Sequence, residues 1–300
     1  MKTTAFDIVA QQDLTGQVFL ITGAYAGLGA IQTKALLQAG ATVIATGRNA
    51  KTQAEFAQNL ADLPELSFEP HQLYCSATID LGDLASVQAF ATHVKEKYPK
   101  IDCLVNNAGV MRTPPGKTKD GFETQMGVNV IGHFLLAKLL VDITIRQVWL
   151  SSKGHIRYGA PGIDYDAITE VNEKDYVSRW RYQQAKLGDI LLSKEFAKRY
   201  PHLKAVSLHP GGVKTNLGRY MTLGQKLKFI VQNPLTVMSM VSPEEGAATQ
   251  TLVSIMPENE LTNGAYYADC KVTAPAKSGE DMADTACLFD YCDKATHAFQ

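Results

Sequence analysis

The chain has 300 residues, enough for one large α/β domain or two small ones. Apolar residues make up 45%, which permits a substantial core, and 29 basic against 30 acidic residues leave a formal charge of −1. That balance gives no electrostatic footing for nucleic acid or an anionic membrane, and nucleic acid is not expected as a partner.

Met1 to Asp13 holds no basic start followed by an apolar run, and no apolar stretch is long enough to span a bilayer. Neither a secretory signal nor a transmembrane segment is therefore expected. The five cysteines, Cys75, Cys103, Cys270, Cys287 and Cys292, are scattered and form no CxxC. They read as reduced thiols of a cytoplasmic protein, and no metal site is expected. Without repeats or composition breaks, one domain over 1–300 is the simplest organisation, with 1–15 as an N-terminal extension.

Short apolar, β-rich runs alternate with amphipathic segments. Val18 to Thr22 reads as a buried strand, and Gly27 to Gln38 as a helix stopped by Gly40. Thr42 to Thr46 is a second strand and Lys51 to Leu60 a helix. Leu73 to Ile79 is a third strand, followed by a helix over Asp83 to Tyr98 that Pro99 ends. A fourth strand, Ile101 to Asn106, precedes a long helix over Gly121 to Val141. Gln147 to Ser151 is a fifth strand. Tyr182 to Tyr200 is a helix with Leu187, Ile190, Leu191 and Phe196 as its apolar stripe. Lys204 to Leu208 and Ala265 to Ala268 are the sixth and seventh strands. This alternation predicts an α/β fold: a single-domain, Rossmann-type, doubly wound parallel sheet of about seven strands with helices on both faces. Ligands in such sheets bind at the carboxyl ends of the strands, where the motifs should then fall.

The loop after the first strand, Thr22 to Gly29, leads straight into a helix. Gly23, Gly27 and Gly29 allow a tight turn and close backbone approach. With Tyr25, Ala26 and Leu28 they suit a pyrophosphate at the helix N-terminus. The spacing is Gly-x3-Gly-x-Gly rather than GxGxxG. The second strand ends in Gly47, Arg48 and Asn49, with no acid for a ribose diol. Arg48 instead suits a 2′-phosphate, so NADP(H) is favoured over NAD(H). After the third strand, Asp80 and Leu81 follow; Asp80 can accept a bond from an adenine amino group or cap the helix starting near Asp83. The fourth strand ends Asn106-Asn107-Ala108-Gly109, which suits backbone packed against a cofactor and equally a structural turn. Tyr182 and Lys186 stand four apart on one helix face. An ammonium beside a phenol favours the phenolate, so the pair can pass a proton to or from a carbonyl or alcohol oxygen. In isolation the same spacing also describes a solvated helix face.

Together the Gly-rich loop, Asn106 to Gly109, Asn129, Ser151-Ser152, Tyr182 with Lys186, and Pro210 to Thr215 resemble the short-chain dehydrogenase/reductase family in order and placement. Three stretches resemble its retinol-dehydrogenase-like and WW-domain-oxidoreductase-like branch: Asn106 to Leu136, Leu208 to Leu217 and Asn263 to Ala276. The resemblance implies a short-chain NADP(H)-dependent oxidoreductase acting on CH–OH/C=O. It implies Tyr182 as general acid/base, Lys186 on the nicotinamide ribose and Ser152 on the substrate oxygen. It further implies Asn129 holding a water in a proton relay, and Pro210, Gly211, Val213 and Thr215 seating the nicotinamide.

Ala185 stands where the family often has Ser, and the stretch from Asn129 to Ser152 is short for this branch. The shortening bears on the helix surface through which a homodimer is expected. The insert between Ser152 and Tyr182, with Tyr158, Tyr165, Tyr176 and Trp180, either roofs the substrate pocket or runs over the surface. Residues 216–240 are apolar and methionine-rich, and in this family such a segment is a substrate lid. With Lys226 and Lys228 it could also rest on a membrane. Met111, Arg112, Tyr158 and Tyr220 are candidate pocket lining, and a small hydrophobic aldehyde, ketone or alcohol is the expected substrate. Two alternatives remain: a non-catalytic NADP(H)-binding sensor or scaffold, and a C=C reductase on a protochlorophyllide-reductase-like scaffold.

Overall fold

In a computed structural model that describes residues 2–64, 66–75, 77–158, 162–214, 220, 224 and 240–300, eight strands form one sheet. Thr215 and all of the expected lid save Tyr220, Gly224 and Met240 lie outside the described residues. The strands are β1 (Val18–Thr22), β2 (Thr42–Thr46), β3 (Leu73–Tyr74), β4 (Cys103–Asn106), β5 (Arg146–Leu150), β6 (Lys204–Leu208), β7 (Tyr266–Ala268) and β8 (Lys271–Thr273). Their order is β3-β2-β1-β4-β5-β6-β7-β8; all pairs are parallel except the last. The chain order reverses between β1 and β4, and this switch point opens the crevice in which such sheets bind ligands.

The central strands are apolar on both faces, as burial between two helical layers requires. Side chains alternate between those layers, with Phe19 and Ile21 of β1 on one face and Leu20 on the other. One layer holds α2 (Gly27–Gln38), α3 (Ala50–Ala61) and α10 (Ala248–Ile255). The expected N-terminal extension contributes α1 (Ala5–Val9), capped by Thr4 and buried through Ala5 and Val9 near Ala35 and Ala247. The opposite layer holds α4 (Leu84–Lys97), α5 (Thr124–Met126), α6 (Gly132–Leu139), α8 (Ser178–Arg199) and α11 (Met282–Thr296). Two short helices complete the set: α7 (Asp166–Thr169) in the insert and α9 (Pro243–Gly246) before α10.

Several expected boundaries shift for local reasons. β3 stops at Tyr74, because beyond it the chain is held by Thr46 Oγ1 to Ala77 O and Ile79 N to Gly47 O instead of a ladder. The long helix is interrupted by a π-helical turn, Gly127–Ile131, in which the Gly132 N–H reaches back to Gly127 O. β8 extends the expected seven strands to eight. It follows a two-residue turn at Asp269 and Cys270 with φ of 48° and 61°, the left-handed pair that such hairpins need.

α11 covers the outer face of α6 and α8. Phe289 lies 5.0 Å from Phe134 and 5.1 Å from Phe196, ring to ring, and Lys138 pairs with Asp293 at 2.9 Å. The outer face of α6 and α8 is thus covered by α11, and a dimer across that face would have to displace α11. Phe289→Ala should cost about 3–5 kcal/mol of unfolding free energy in urea, the usual range for emptying a buried aromatic site. A loss under about 1 kcal/mol would mean that α11 is only loosely docked.

Candidate active site

A cleft of ≈ 360 Å³ lies along the carboxyl ends of β1, β2, β4, β5 and β6. Gly23, Ala26, Gly27 and Leu28 line it at the start of α2. Gly23 has φ 65°, and a Cβ there would lie 3.0 Å from Ala108 Cα. One at Gly29 would lie 2.6 Å from Gly23 O. The loop therefore has room only for glycine where it folds back. α3 and α4 are capped by the side chains of Asn49 and Asp83, but α2 begins at Ala26 with no side-chain cap. Its first N–H groups stand beside the cleft, a ready site for an anionic diphosphate. Arg48, exposed at the same end, has no carboxylate partner among the described residues. A phosphate-bearing dinucleotide fits this donor set.

At the other end, Ser152, Tyr182 and Lys186 share the cleft wall. A Cβ placed on Gly154 would be 3.4 Å from both Ser152 Oγ and a Tyr182 ring carbon, so these groups flank one small space. Ser152 Oγ accepts the Gly154 N–H at 3.0 Å, leaving its own proton free to donate. Ser151 is spoken for: its hydroxyl donates to Lys186 O at 2.5 Å. His155 holds the serine backbone. Its Nδ1–H donates to Ser152 O, and its Nε2 accepts the Ala276 N–H.

The Lys186 ammonium is buried 5.9 Å from the Tyr182 ring centre. It donates to Leu150 O at 2.7 Å and to Asp189 Oδ2 at 2.8 Å. Burial works against the ammonium, but Asp189 and Tyr182 outweigh it and hold Lys186 above the usual range. A Cβ placed on Gly109 would crowd Asn129 Oδ1 at 3.3 Å and touch Lys186 Nζ at 3.9 Å, so both side chains come close to the loop here.

The short chain dehydrogenase profile matches residues 17–156. Retinol dehydrogenase 14 from Homo sapiens is 36% identical over 271 residues, covering 85% of this chain and 79% of that protein. WW domain-containing oxidoreductase from Homo sapiens is 32% identical over 299 residues, covering 95% and 69%. The chain belongs to the short-chain dehydrogenase family. It is accordingly an oxidoreductase of the CH–OH/C=O class, similar to the retinol dehydrogenases. An uncharacterized protein from Mycobacterium Paratuberculosis has the same architecture, with TM-score 0.75, 26% identity and coverage of 99% and 98%.

Of the residues expected at the cofactor, Asp80, Leu81, Asn107, Ala108, Gly109, Pro210, Gly211 and Val213 also line the cleft of this dehydrogenase. Three of those expected residues do not. Tyr25 turns into the body, where its hydroxyl donates to Ala45 O and its ring packs on Phe56 at 5.3 Å. Gly29 lies behind the loop it shapes, and Asn49 Oδ1 is spent capping α3. Asn129, expected among the catalytic residues, does not line the cleft either. Its side chain clamps Val110, accepting the N–H at 2.9 Å and donating to the carbonyl at 3.0 Å. Besides the expected part in a proton relay, Asn129 thus clamps the loop after β4. Asp80 does not cap α4, since Asp83 does; its Oδ1 accepts the Gly82 N–H beside the cleft. Met111, Arg112 and Tyr158 stand off the cleft wall, and Tyr220 is exposed. The described part of the insert is pinned to the frame: Tyr158 donates to Gln184, Tyr165 to Asp284 and Tyr176 to Glu123.

Sequence reasoning missed Thr22, His133, His155 and Asp189. Lys186 and Asp189 at i,i+3 was the one available signal. Burial pushes Asp189 up to about 6, against the pull of Lys186. A carboxyl whose pKa rises on folding contributes stability that is fully present below its unfolded value near 3.8 and lost as pH rises through about 6. Asp189→Asn should therefore flatten the unfolding free energy between those pH values, as read by urea titration. An unchanged slope would show that this carboxyl does not titrate in the window.

Proposed function

We propose that this dehydrogenase is NADP(H)-dependent and interconverts a hydrophobic aldehyde or ketone with its alcohol, Tyr182 moving the proton. One observation carries the reading: the cleft that begins at an uncapped helix and at Arg48, unpaired among the described residues, ends at Ser152, Tyr182 and a buried ammonium. Bound in that cleft, the nicotinamide would supply or accept the hydride. In reduction, the Ser152 hydroxyl donates a hydrogen bond to the carbonyl oxygen, and the Tyr182 hydroxyl delivers the proton that oxygen needs. The Lys186 charge stabilises the negative charge left on the phenol oxygen, and Asp189 with Leu150 O keeps that ammonium in place. In oxidation the same groups run in reverse, with Tyr182 as base.

The absence of an acid at the end of β2, with Arg48 in its place, supports NADP(H) over NAD(H). The names of the retinol dehydrogenase relatives and the methionine-rich composition of 216–240 support a lipophilic substrate. Among the described residues no helix is long and apolar enough to cross a membrane.

Tyr182→Phe should lower kcat by about two orders of magnitude or more, the usual share of a general acid, while NADPH binding persists. Near-normal turnover in that variant would remove Tyr182 from the chemistry. Arg48→Ala should weaken NADPH by roughly 10- to 100-fold, as loss of a charge-assisted bond does, and NADH much less. Equal losses, followed by fluorescence titration, would mean Arg48 does not read the 2′-phosphate.

A further inference from the structure

Ser152 is the first residue after β5 that the sheet no longer holds. The Ser151 N–H still donates to Leu208 O at 2.7 Å, and its hydroxyl is fixed on Lys186 O. One position on, Ser152 stands half-buried at the cleft wall, and among the described residues its carbonyl has one holder, His155. The His155 main-chain N–H reaches Ser152 O at 3.1 Å, and the ring Nδ1 reaches it at 2.5 Å. A serine whose hydroxyl must meet a substrate oxygen is thus placed from within the 3-10 turn that follows it, Lys153–Arg157.

The imidazole is itself fixed at both nitrogens. Its Nε2 accepts the Ala276 N–H at 3.0 Å, so the proton sits on Nδ1 and the bond to Ser152 O has a defined donor. The ring is buried, and Tyr266 packs edge-on against it at 5.2 Å between centres. Burial pulls the His155 pKa below the ordinary histidine range, which keeps the ring neutral and Nε2 an acceptor. Ala276 leads into the turn Lys277–Glu280, where a Cβ placed on Gly279 would lie 3.4 Å from Ile190 Cγ2 of α8. The path from Ser152 through His155 therefore ends on the helix that carries Tyr182 and Lys186. Ser152 and Tyr182 come from different elements, and groups that act on one oxygen need their spacing fixed.

We propose that His155 is a positioning residue for the reaction: its Nδ1–H sets Ser152 at the spacing from Tyr182 at which both reach the same substrate oxygen. This rests on Ser152 and Tyr182 acting on that oxygen and names the residue on which their alignment depends. His155 itself stands off the cleft wall and acts only through the serine.

Two substitutions separate the ring's two bonds. His155→Asn keeps an N–H donor near the place of Nδ1 and loses the bond to Ala276. His155→Gln keeps an acceptor that reaches toward Ala276 and loses the donor to Ser152. With NADPH and decanal, followed at 340 nm, His155→Gln should lower kcat by about 10- to 100-fold, the scale of a misplaced catalytic group, with the KM for NADPH unchanged. His155→Asn should stay within about fivefold of the wild type, the worth of one neutral hydrogen bond. In a Ser152→Ala background, His155→Gln should lower kcat no further, because the serine it places is gone. Equal losses in the Asn and Gln variants, wild-type kcat in His155→Gln, or a further loss of about tenfold on top of Ser152→Ala would overturn the proposal. Amide exchange tests the same point without turnover. The Gly154 N–H donates to Ser152 Oγ and reports where that side chain is held. It should exchange at least about tenfold faster in His155→Gln than in His155→Asn, and equal rates would overturn the proposal. Normal turnover in Ser152→Ala, or no loss of NADPH in the wild type, would instead sink the serine's part in the reaction, and Gly154 exchange would still decide whether His155 places Ser152.

Discussion

The site depends on one buried hydroxyl. Thr22 Oγ1, at the end of β1, accepts the N–H groups of Asn107 and Ala108 at 3.0 and 2.9 Å. It meets His133 Nε2 at 2.9 Å, and His133 Nδ1 meets Asn129 O at 2.9 Å. A carbonyl only accepts, so Nδ1 carries the proton and Nε2 takes the one from Thr22. Burial drives His133 down to about 3, which keeps the ring neutral and makes this arrangement permanent at ordinary pH. One chain of hydrogen bonds therefore ties the phosphate end of the cleft to the residue that clamps the loop over the lysine.

A second constraint is the buried charge beside Tyr182. An ammonium removed from water is costly unless acceptors surround it. Lys186 has two, one from the end of β5 and one from its own helix, and both fix its direction as well as its charge. Positioning of this kind is what a proton-transfer site needs from its frame, since misplacement by an ångström costs much of the rate. The π-helical turn at Gly127–Ile131 serves the same end. It alters the helix where Asn129 must reach Val110 and where its carbonyl must meet His133.

The parts legible in the sequence are those in which local signals and tertiary demands agree. β1, β2 and β6 match their expected limits because β-branched runs end at turns and also form the buried centre of the sheet. Tyr182 and Lys186 could be picked out as a phenol and an ammonium on one helix face, whereas Ser152, after β5, was singled out only through the family resemblance. β8 was not legible, because its turn is Asp269-Cys270 rather than the Asn-Gly that signals a left-handed pair. α11, which the expected elements did not include, starts at an Asp281 cap, and its function as a cover for α6 and α8 exists only in three dimensions. His133 could not be read, because a histidine on an apolar helix looks like core until its two partners are seen. Tyr25 and Asn49 fell in the right loops and pointed away, which backbone patterning does not reveal.

The central claim is that these residues form a working proton-transfer site on a phosphate-reading cofactor cleft. Absorbance at 340 nm tests it directly, with the purified protein given NADPH or NADH and a panel of lipophilic aldehydes and ketones. The account predicts steady loss of NADPH absorbance with at least one carbonyl, and much slower loss of NADH. Saturable NADPH binding with no consumption across the panel would contradict it and leave a cofactor-binding protein without the chemistry.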